Sequence, residues 1–202
     1  MARRRGNPLA LAVLACLSER PMHPYEMAAT MRTRGQDASI RLNYGSLYGV
    51  VENLLKRGLV EEQEVVREGR RPERTVYRIT DDGRAEVDDW LSELLGTSAK
   101  EFPQFEAGLS LMAVLRPERV VDLLDQRVAK LQERLSELEA TVDAATGNGV
   151  PRVFLVEMDY ERALVDADST FTEQLARDIE SGRLDGIEFW KQVHDEWEKE
   201  RG

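Results

Sequence analysis

The sequence has few of the residues on which catalysis and metal binding usually depend. Its 202 residues include one cysteine and two histidines. The single cysteine, Cys16, excludes an intrachain disulfide, and without a CxxC pair the isolated His23 and His194 form no metal-ligand cluster. The chain also lacks a recognisable nucleophile–base pair and a glycine-rich phosphate loop. We therefore expect neither an enzyme nor a protein that holds a metal or cofactor.

Long apolar runs are missing as well. A membrane-spanning helix needs about 18 or more consecutive apolar residues, and no stretch approaches that length. The arginines at 3–5 and the apolar run at 9–17 imitate a secretory signal, but the run is short and continues directly into charged residues. Since 42% of the residues are hydrophobic, a core for one medium domain or two small ones is available. We expect a soluble globular protein of the reducing cytoplasm.

Positive charge is scarce overall but concentrated in one region. The formal net charge is −10 at pH 7, which taken alone argues against binding to nucleic acid. Residues 1–80 carry 14 Lys+Arg and 9 Asp+Glu, a net charge of +5, whereas residues 81–202 carry 14 and 29, a net charge of −15. A surface that faces a polyanion should therefore lie in the first 80 residues.

A helix is predicted to follow Asn43, whose side-chain oxygen can accept from the free N–H groups of a first helical turn. One buried stripe recurs at helical spacing and consists of Leu47, Val50, Val51, Leu54 and Leu55. Gly58 should end the helix in the left-handed conformation, with Leu59 as the apolar residue just beyond it. The opposite face is small and polar. It carries Gly45, Gly49 and Lys56, flanked by Ser46, Tyr48, Glu52 and Asn53.

The two glycines on this outward face weaken the helix. Each costs on the order of 1 kcal/mol relative to alanine, so a close approach of the backbone to another surface would explain Gly45 and Gly49. A DNA major groove admits a helix and would provide that approach. On this helix alone, an ordinary amphipathic helix with two unfavourable surface residues explains the pattern equally well.

Two β-prone segments follow at 60–66 and 74–79, joined by a turn that contains Gly69 and Pro72. Arginines gather at or beside this turn, and the candidate contacts are Arg70, Arg71 and Arg74. Exposed charge is often only solvated, but arginines on a projecting hairpin beside a small-faced helix suit phosphate binding. The combination favours a DNA-binding unit.

Two helices are predicted ahead of this stretch. Helix one should run over 8–19 and be buried, with Cys16 as a small core residue. Helix two should begin at His23 and end before Gly35, with a core face of Tyr25, Ala28, Ala29 and Met31. Helix, helix, helix and hairpin is the order of a winged helix-turn-helix. Three arginines precede helix one: Arg3, Arg4 and Arg5. They form either a solvated tail or an arm that contacts phosphates or the minor groove.

A fourth helix should be capped by Thr80. Its apolar stripe comprises Val87, Leu91, Leu94 and Leu95. Trp90 lies beside the stripe and is interpreted as an interface or core anchor. Glycine, threonine, serine and proline cluster in 96–103, which predicts a linker between a winged-helix domain, residues 1–96, and a helical domain, residues 104–202.

The C-terminal domain is predicted to be helical throughout. A heptad seam consists of Val121, Leu124, Val128, Leu131, Leu135, Leu138 and Val142. After a turn at 146–151, a second long helix carries Phe154, Met158, Leu164, Val165, Phe171, Leu175 and Ile179, and a last one carries Trp190 and Trp197. The long helices could pair within one chain or between copies. Because a monomer would leave much apolar surface exposed, we expect a homodimer. The predicted interface comprises Trp90, Leu124, Val128, Leu131, Leu135, Leu138, Phe171 and Leu175.

Short motifs run through the first half of the chain in a fixed order. They are His23-Pro24-Tyr25-Glu26-Met27, Gly45-Ser46-Leu47-Tyr48, 54–59, Gly69-Arg70-Arg71, and Val76-Tyr77-Arg78-Ile79-Thr80 with Gly83. Together they resemble the PadR-type winged-helix transcriptional regulators. The second half of the chain resembles the larger subgroup of that family in length and helical character. The family usually has glycine at Pro24, threonine at Ser46 and proline at Gly49.

The resemblance implies a dimeric DNA-binding regulator, a repressor of a pseudo-palindromic operator that responds to a small-molecule effector through its C-terminal helices. The candidate DNA contacts are Asn43, Tyr44, Ser46, Tyr48, Asn53 and Lys56 on the helix, with Arg70, Arg71 and Arg74 on the wing. Tyr44 falls near the core edge, where it could instead be a packing residue. In a different hypothesis the winged helix is structural and the acidic helices bind a basic protein.

Overall fold

The structure is a computed structural model that describes residues 7–37, 39–66 and 74–201, without the side chains of residues 64–66, 74, 200 and 201. The chain divides into two compact units, Met1–Lys100 and Glu101–Gly202. The fold is mainly helical with one two-stranded antiparallel sheet. The predicted fold class, a winged helix-turn-helix followed by an all-helical region, is confirmed.

The N-terminal unit has the predicted order of helix, helix, helix and hairpin. Its elements are α1 (Pro8–Glu19), α2 (Pro24–Thr33), α3 (Tyr44–Lys56), β1 (Val60–Val66), β2 (Arg74–Ile79) and α4 (Asp81–Gly96). α1 begins where the Asn7 side chain accepts a hydrogen bond from the N–H of Leu9 at 3.1 Å and a proline occupies the first helical position. α2 begins with a capping box in which the His23 ring accepts from Tyr25 N–H and the Glu26 carboxylate accepts from His23 N–H.

α1 is the centre of the core of this unit. Eight of its residues are buried, and seven of them belong to one cluster with Met27 and Met31 of α2, the inner face of α3 and Ile79 of β2. The prediction for α2 was partly wrong, because Tyr25 and Ala29 are exposed. The buried residues of α2 are Pro24, Met27, Ala28 and Met31, which follow the spacing of a single helical stripe.

The hairpin is attached to the helices at its base. β1 and β2 pair antiparallel from Val60 opposite Ile79, with a bulge between Glu62 and Glu64. Met22, in the turn between α1 and α2, pairs with Tyr77 of β2 through two backbone hydrogen bonds of 3.1 Å. The orientation of the hairpin is therefore tied to the connection between α1 and α2.

Only the first half of α4 packs against this core. Val87 and Trp90 are half-buried and contact it, whereas every residue from 91 onward in α4 is exposed. The apolar residues left open are Leu91, Leu94 and Leu95, of which Leu95 is 85% exposed. Spacing showed that these residues share a face, and among the described residues of this unit none buries that face.

The C-terminal unit contains four helices. They are α5 (Gln104–Leu111), α6 (Pro117–Gly147), α7 (Val156–Glu180) and α8 (Ile187–Arg201), with short 3₁₀ turns at Met112–Val114 and Arg152–Phe154. Phe154, predicted on the second long helix, lies in the 3₁₀ turn that precedes it. No helix in the described ranges is long and apolar enough to cross a membrane.

α6 and α7 pair within one chain as an antiparallel hairpin. Arg127 of α6 binds Asp168 of α7, and Arg134, two turns further along α6, binds Glu161, which lies two turns earlier on α7. The heptad seam lies at this contact: Leu124 and Leu138 are buried, and Val128, Leu131 and Leu135 are half-buried. The alternatives left open by the sequence are thus resolved in favour of a partner helix inside the same chain.

Candidate nucleic-acid interface

The outward face of α3 is polar and has little side-chain bulk. Asn43 caps the helix by accepting from the N–H of Gly45 at 2.9 Å, and Leu47, Val51 and Leu54 turn the apolar stripe inward. The side chains left exposed include all six predicted contacts on this helix and its cap: Asn43, Tyr44, Ser46, Tyr48, Asn53 and Lys56. Hydroxyl, amide and ammonium groups of this kind donate to phosphates and to base edges.

Gly45 and Gly49 are not required by the packing of this chain. A Cβ at Gly49 would meet nothing within 4 Å, and one at Gly45 would lie 3.6 Å from the side-chain oxygen of Asn43, an ordinary contact. Neither residue has a positive φ. Alanine would fit at both positions and would favour the helix, so the glycines have no explanation inside the folded unit.

The end of α3 is held to the start of α4. Gly58 has a φ of 73°, and the N–H groups of Gly58 and Leu59 bond back to the carbonyls of Leu55 and Leu54, the Schellman pattern predicted for this glycine. The Thr80 hydroxyl donates to the carbonyl oxygen of Gly58 at 2.8 Å and accepts from Gly83 N–H at 3.1 Å. α3 and α4 therefore share one hydrogen-bonded joint.

Gly83 is required at this joint. A Cβ there would lie 2.1 Å from the carbonyl oxygen of Leu59 and 2.7 Å from a side-chain carbon of Ile79. Only glycine lets the first turn of α4 approach the α3–β1 turn this closely.

An aromatic cluster fixes the start of α3 against α2, and the sequence did not reveal it. The rings of Tyr25 and Tyr44 stack with centroids 6.1 Å apart, and Arg32 donates to the Tyr44 hydroxyl at 2.6 Å while its guanidinium lies 4.7 Å from the ring centroid. Tyr44 is thus held on both sides by α2. These contacts support the packing role offered for Tyr44, whose hydroxyl is bonded within the chain; its role as a DNA contact stays a prediction.

Part of the positive charge on the described part of this unit is already paired with carboxylates. Both carboxylate oxygens of Glu19 accept from Arg34, at 2.5 and 2.7 Å, and this hydrogen bonding lowers the pKa of Glu19. Arg57 and Arg78 are likewise bound by carboxylates. Lys56 is exposed and, among the described residues, pairs with none, so its charge is available to a phosphate. Arg41, two residues before the cap of α3, is also exposed and pairs with none of the described carboxylates. It was not among the candidate contacts predicted from the sequence.

The remaining predicted contacts lie outside what the structure describes. Arg70 and Arg71 of the wing, and the arm residues Arg3, Arg4 and Arg5, fall outside the described residues. For Arg74 the backbone lies at the start of β2, opposite Val66.

The one cysteine of this unit lies away from the outward face of α3. Cys16 is buried in the core, and burial raises the pKa of its thiol, which keeps it in the protonated, unreactive form. Within the described ranges no group of three or more potential ligands could hold a metal ion.

Comparison with known proteins shows similarity to one family. The family described as "Transcriptional regulator PadR-like family" matches residues 13–89. The negative transcriptional regulator PadR of Bacillus subtilis (strain 168) is 22% identical over 147 residues, which cover 72% of this chain and 79% of that protein. Residues 13–89 of this chain are thus similar to the PadR-like family. The family match spans α1 to α4 and includes every predicted contact on α3.

Solved structures extend the similarity beyond the family match. Bacillus subtilis PadR in complex with operator DNA aligns with a TM-score of 0.70 at 16% identity, over 87% of this chain and 99% of that one. The same protein in complex with p-coumaric acid aligns with a TM-score of 0.67 at 15% identity, over 89% and 99%. The C-terminal helices of this chain thus share the fold of those structures. Its relatives are transcriptional regulators rather than enzymes.

Two departures from the usual PadR-like pattern fit the local structure. Pro24 occupies the first helical position of α2, where its missing N–H has no helical partner to lose. Gly49 continues α3 without interruption. Neither departure alters the cap of the recognition helix or its charge.

Proposed function

We propose that this protein is a sequence-specific DNA-binding repressor that acts as a homodimer on a pseudo-palindromic operator in the cytoplasm and responds to a small-molecule effector. The observation that carries DNA binding is the outward face of α3. Gly45 and Gly49 lie there between groups that can bond to DNA, although alanine would fit at both positions. A backbone that must approach the floor or wall of a groove accounts for them.

The exposed side chains divide into two roles. Ser46, Tyr48 and Asn53 supply hydroxyl and amide groups suited to base edges, whereas Lys56 and the arginines of the wing supply charge suited to phosphates. Glu52 is exposed on the same face and can accept from the amino group of a cytosine, a contact that would add specificity rather than affinity. Tyr44 orients the helix through Arg32 and Tyr25.

Exposed apolar surface supports the homodimer. One side of α7, away from α6, presents Val156, Tyr160, Leu164 and Phe171, each more than half exposed. Contiguous apolar surface of this kind marks interfaces. Of the predicted interface residues Phe171 is the most open, whereas Leu124 and Leu138 are buried in their own chain and retain little surface for a partner. A two-fold dimer would set two α3 helices in successive major grooves about 10 bp apart, or a multiple of that.

Repression and an effector response are extended from the relative. Bacillus subtilis PadR is named a negative regulator and was solved both with operator DNA and with p-coumaric acid. The same class of behaviour is proposed for this chain, with its own operator and its own ligand.

The DNA-binding proposal is tested with duplexes selected from a random library and measured over a range of salt concentrations. Each phosphate contact contributes about 0.9 to the slope of log K against log salt. The double variant Arg70→Glu/Arg71→Glu should weaken binding and lower the slope by about 2. The matched control, Arg119→Glu/Arg162→Glu, makes the same charge change on exposed arginines of the C-terminal unit and should change the slope little.

The absence of DNA binding at low salt would overturn the proposal. It would favour the alternative in which the acidic helices bind a basic protein partner.

The homodimer is tested with a fragment that ends at Lys100. Such a fragment has one copy of α3 and none of the C-terminal helices, so it should bind the selected operator much more weakly than the full chain. Sedimentation should show a dimer for the full chain and a monomer for the fragment. Equal affinity of fragment and full chain would refute the dependence on dimerisation.

A further inference from the structure

A pocket opens in the C-terminal unit between α5, the 3₁₀ turn after it and α8. Its volume is about 290 Å³, near the lower end of about 300–1,000 Å³ for small-molecule sites. Its walls are mainly apolar, and Ser110 adds a hydroxyl at one side. The apolar lining residues are Leu111, Val114, Phe189, Val193 and Trp197, together with Trp190. The space suits one or two fused rings.

Hydrogen bonds hold the pocket open before any ligand arrives. The indole N–H of Trp190 donates to the carbonyl oxygens of Ala113 and Leu115, at 3.1 and 2.9 Å, and Nε2 of His194 lies 3.0 Å from the same oxygen of Ala113. The His194 and Trp197 rings meet edge to face at 5.0 Å. α8 and the 3₁₀ turn are therefore fixed to each other, and a ligand would bind without first ordering the walls.

Two of the aromatic side chains that line the pocket are exposed rather than packed in the core. Phe189 is 71% exposed and Trp197 is 41% exposed. Their buried neighbour Trp190 belongs to the core of this unit, together with Val120, Leu124 and Ile179. The pocket thus combines a rigid floor with open aromatic sides, which is the arrangement of a preformed site for a flat apolar molecule.

The charge around the pocket disfavours an anion. Residues 101–202 carry 12 Lys+Arg and 23 Asp+Glu. Arg116, next to the 3₁₀ turn, is held by Asp195 and Glu198, and Lys191 of α8 is held by Glu188. Aromatic faces attract cations and repel anions. A ligand carboxylate would find Arg116 and Lys191 already bound to carboxylates of the chain. A neutral or cationic ring would not be repelled by the acidic residues.

We propose that this pocket binds an uncharged or cationic aromatic molecule of one or two rings, and that it is the effector site of the protein. Ligand binding in this pocket stands independently of DNA, whereas the effector role rests on the proposed DNA-binding function. α5, which forms one wall, is the first helix of the C-terminal unit and follows the linker in the sequence.

The binding test uses three two-ring probes that differ in charge: quinoline, N-methylquinolinium and 2-naphthoate. The chain has three tryptophans, whose indole N–H signals are separately observable by NMR of the full protein. Quinoline or N-methylquinolinium should shift the signals of Trp190 and Trp197 in a saturable way and leave that of Trp90, in the other unit, unchanged. 2-Naphthoate should bind at least ten-fold more weakly. Titration calorimetry provides the dissociation constants.

Two phenylalanine variants separate the pocket from general surface binding. Phe189→Ala removes a wall, whereas Phe154→Ala removes a side chain of almost equal exposure, 70% against 71%, outside the pocket. Phe189→Ala should weaken probe binding at least ten-fold, and Phe154→Ala should leave it unchanged. Equal shifts of all three indoles, equal binding by the two variants, or tighter binding of 2-naphthoate would overturn the proposal.

A second copy of the chain is the rival occupant of the same pocket. If Phe189→Ala converted a dimer to a monomer and the probes did not bind the native chain, the pocket would be a contact between copies and the proposal would be wrong. The effector role is measured separately, as a change in operator affinity when a bound probe saturates the pocket. Binding without such a change would remove only the effector role, and loss of all DNA binding would contradict the proposed function instead.

Discussion

Gly49→Ala should make this protein more stable and a poorer DNA binder at the same time. The substitution adds one methyl group to the outward face of α3, where the Cβ would meet no atom of the chain within 4 Å. The backbone of Gly49 is helical, so alanine adopts it without strain. Inside the free protein the change therefore has only a favourable effect, through the reduced conformational freedom of the unfolded chain.

Both magnitudes follow from this geometry. Alanine is about 1 kcal/mol more favourable than glycine inside a helix, which corresponds to a rise in Tm of roughly 2–4 °C for a chain of this size. If the backbone at Gly49 lies against DNA, the methyl group occupies space that the complex has already filled. Overpacking of that kind costs about 1–3 kcal/mol, which weakens Kd by roughly 5- to 150-fold.

The assay combines thermal unfolding with operator binding at fixed salt. Gly108→Ala is the matched control, because Gly108 is also a helical glycine with open space around its Cβ but lies on α5 of the other unit. It should gain stability without losing DNA affinity. A Gly49→Ala protein that is stabilised and binds DNA as tightly as the native chain would refute the close approach of α3, and a destabilised one would refute the packing argument.

Three further results are expected from the packing of the chain. Gly83→Ala should lower the free energy of unfolding by about 3 kcal/mol or more, because the added Cβ would lie 2.1 Å from the carbonyl oxygen of Leu59; a urea titration that gives a loss below about 1 kcal/mol would contradict it. Cys16 should resist a thiol reagent in the folded protein and react in urea, as followed by mass spectrometry, because burial raises its pKa. Arg127→Ala and Asp168→Ala should show a coupling of about 1–2 kcal/mol in a double-mutant cycle, since the two side chains are only 33% and 27% exposed; additive effects would argue against the pair.

Local signals in the sequence were sufficient for the recognition helix and the hairpin. The cap at Asn43, the stripe behind it and the left-handed Gly58 each depend on neighbours within a few residues, and each appears in the structure as predicted. The hairpin strands also have their predicted bounds. Such features follow from backbone chemistry and helical spacing alone.

Features that depend on tertiary partners could not be predicted in the same way. The spacing of a heptad seam shows which residues share a face, but it does not identify the covering helix, which is α7 of the same chain. The contacts of Tyr44 with Arg32 and Tyr25 join residues 12 or more positions apart, in patterns that no short motif records. In α4, likewise, periodicity showed that Leu91, Leu94 and Leu95 share a face, but it could not show whether that face is covered.

The joints around α3 determine how a signal could reach the DNA-binding surface. Thr80 connects the end of α3 to the start of α4 through its hydroxyl. Gly83 allows the two segments to pack in close contact at that point. Tyr44 holds the start of α3 to α2. The helix is therefore fixed at both ends, and bending it would break several hydrogen bonds at once. A ligand that acts on this protein would more easily change the position of the whole N-terminal unit, through α4, than the shape of α3. In a dimer, the ligand would then change the distance between the two α3 helices. Because the half-sites of an operator have a fixed spacing, that change would alter the affinity for DNA.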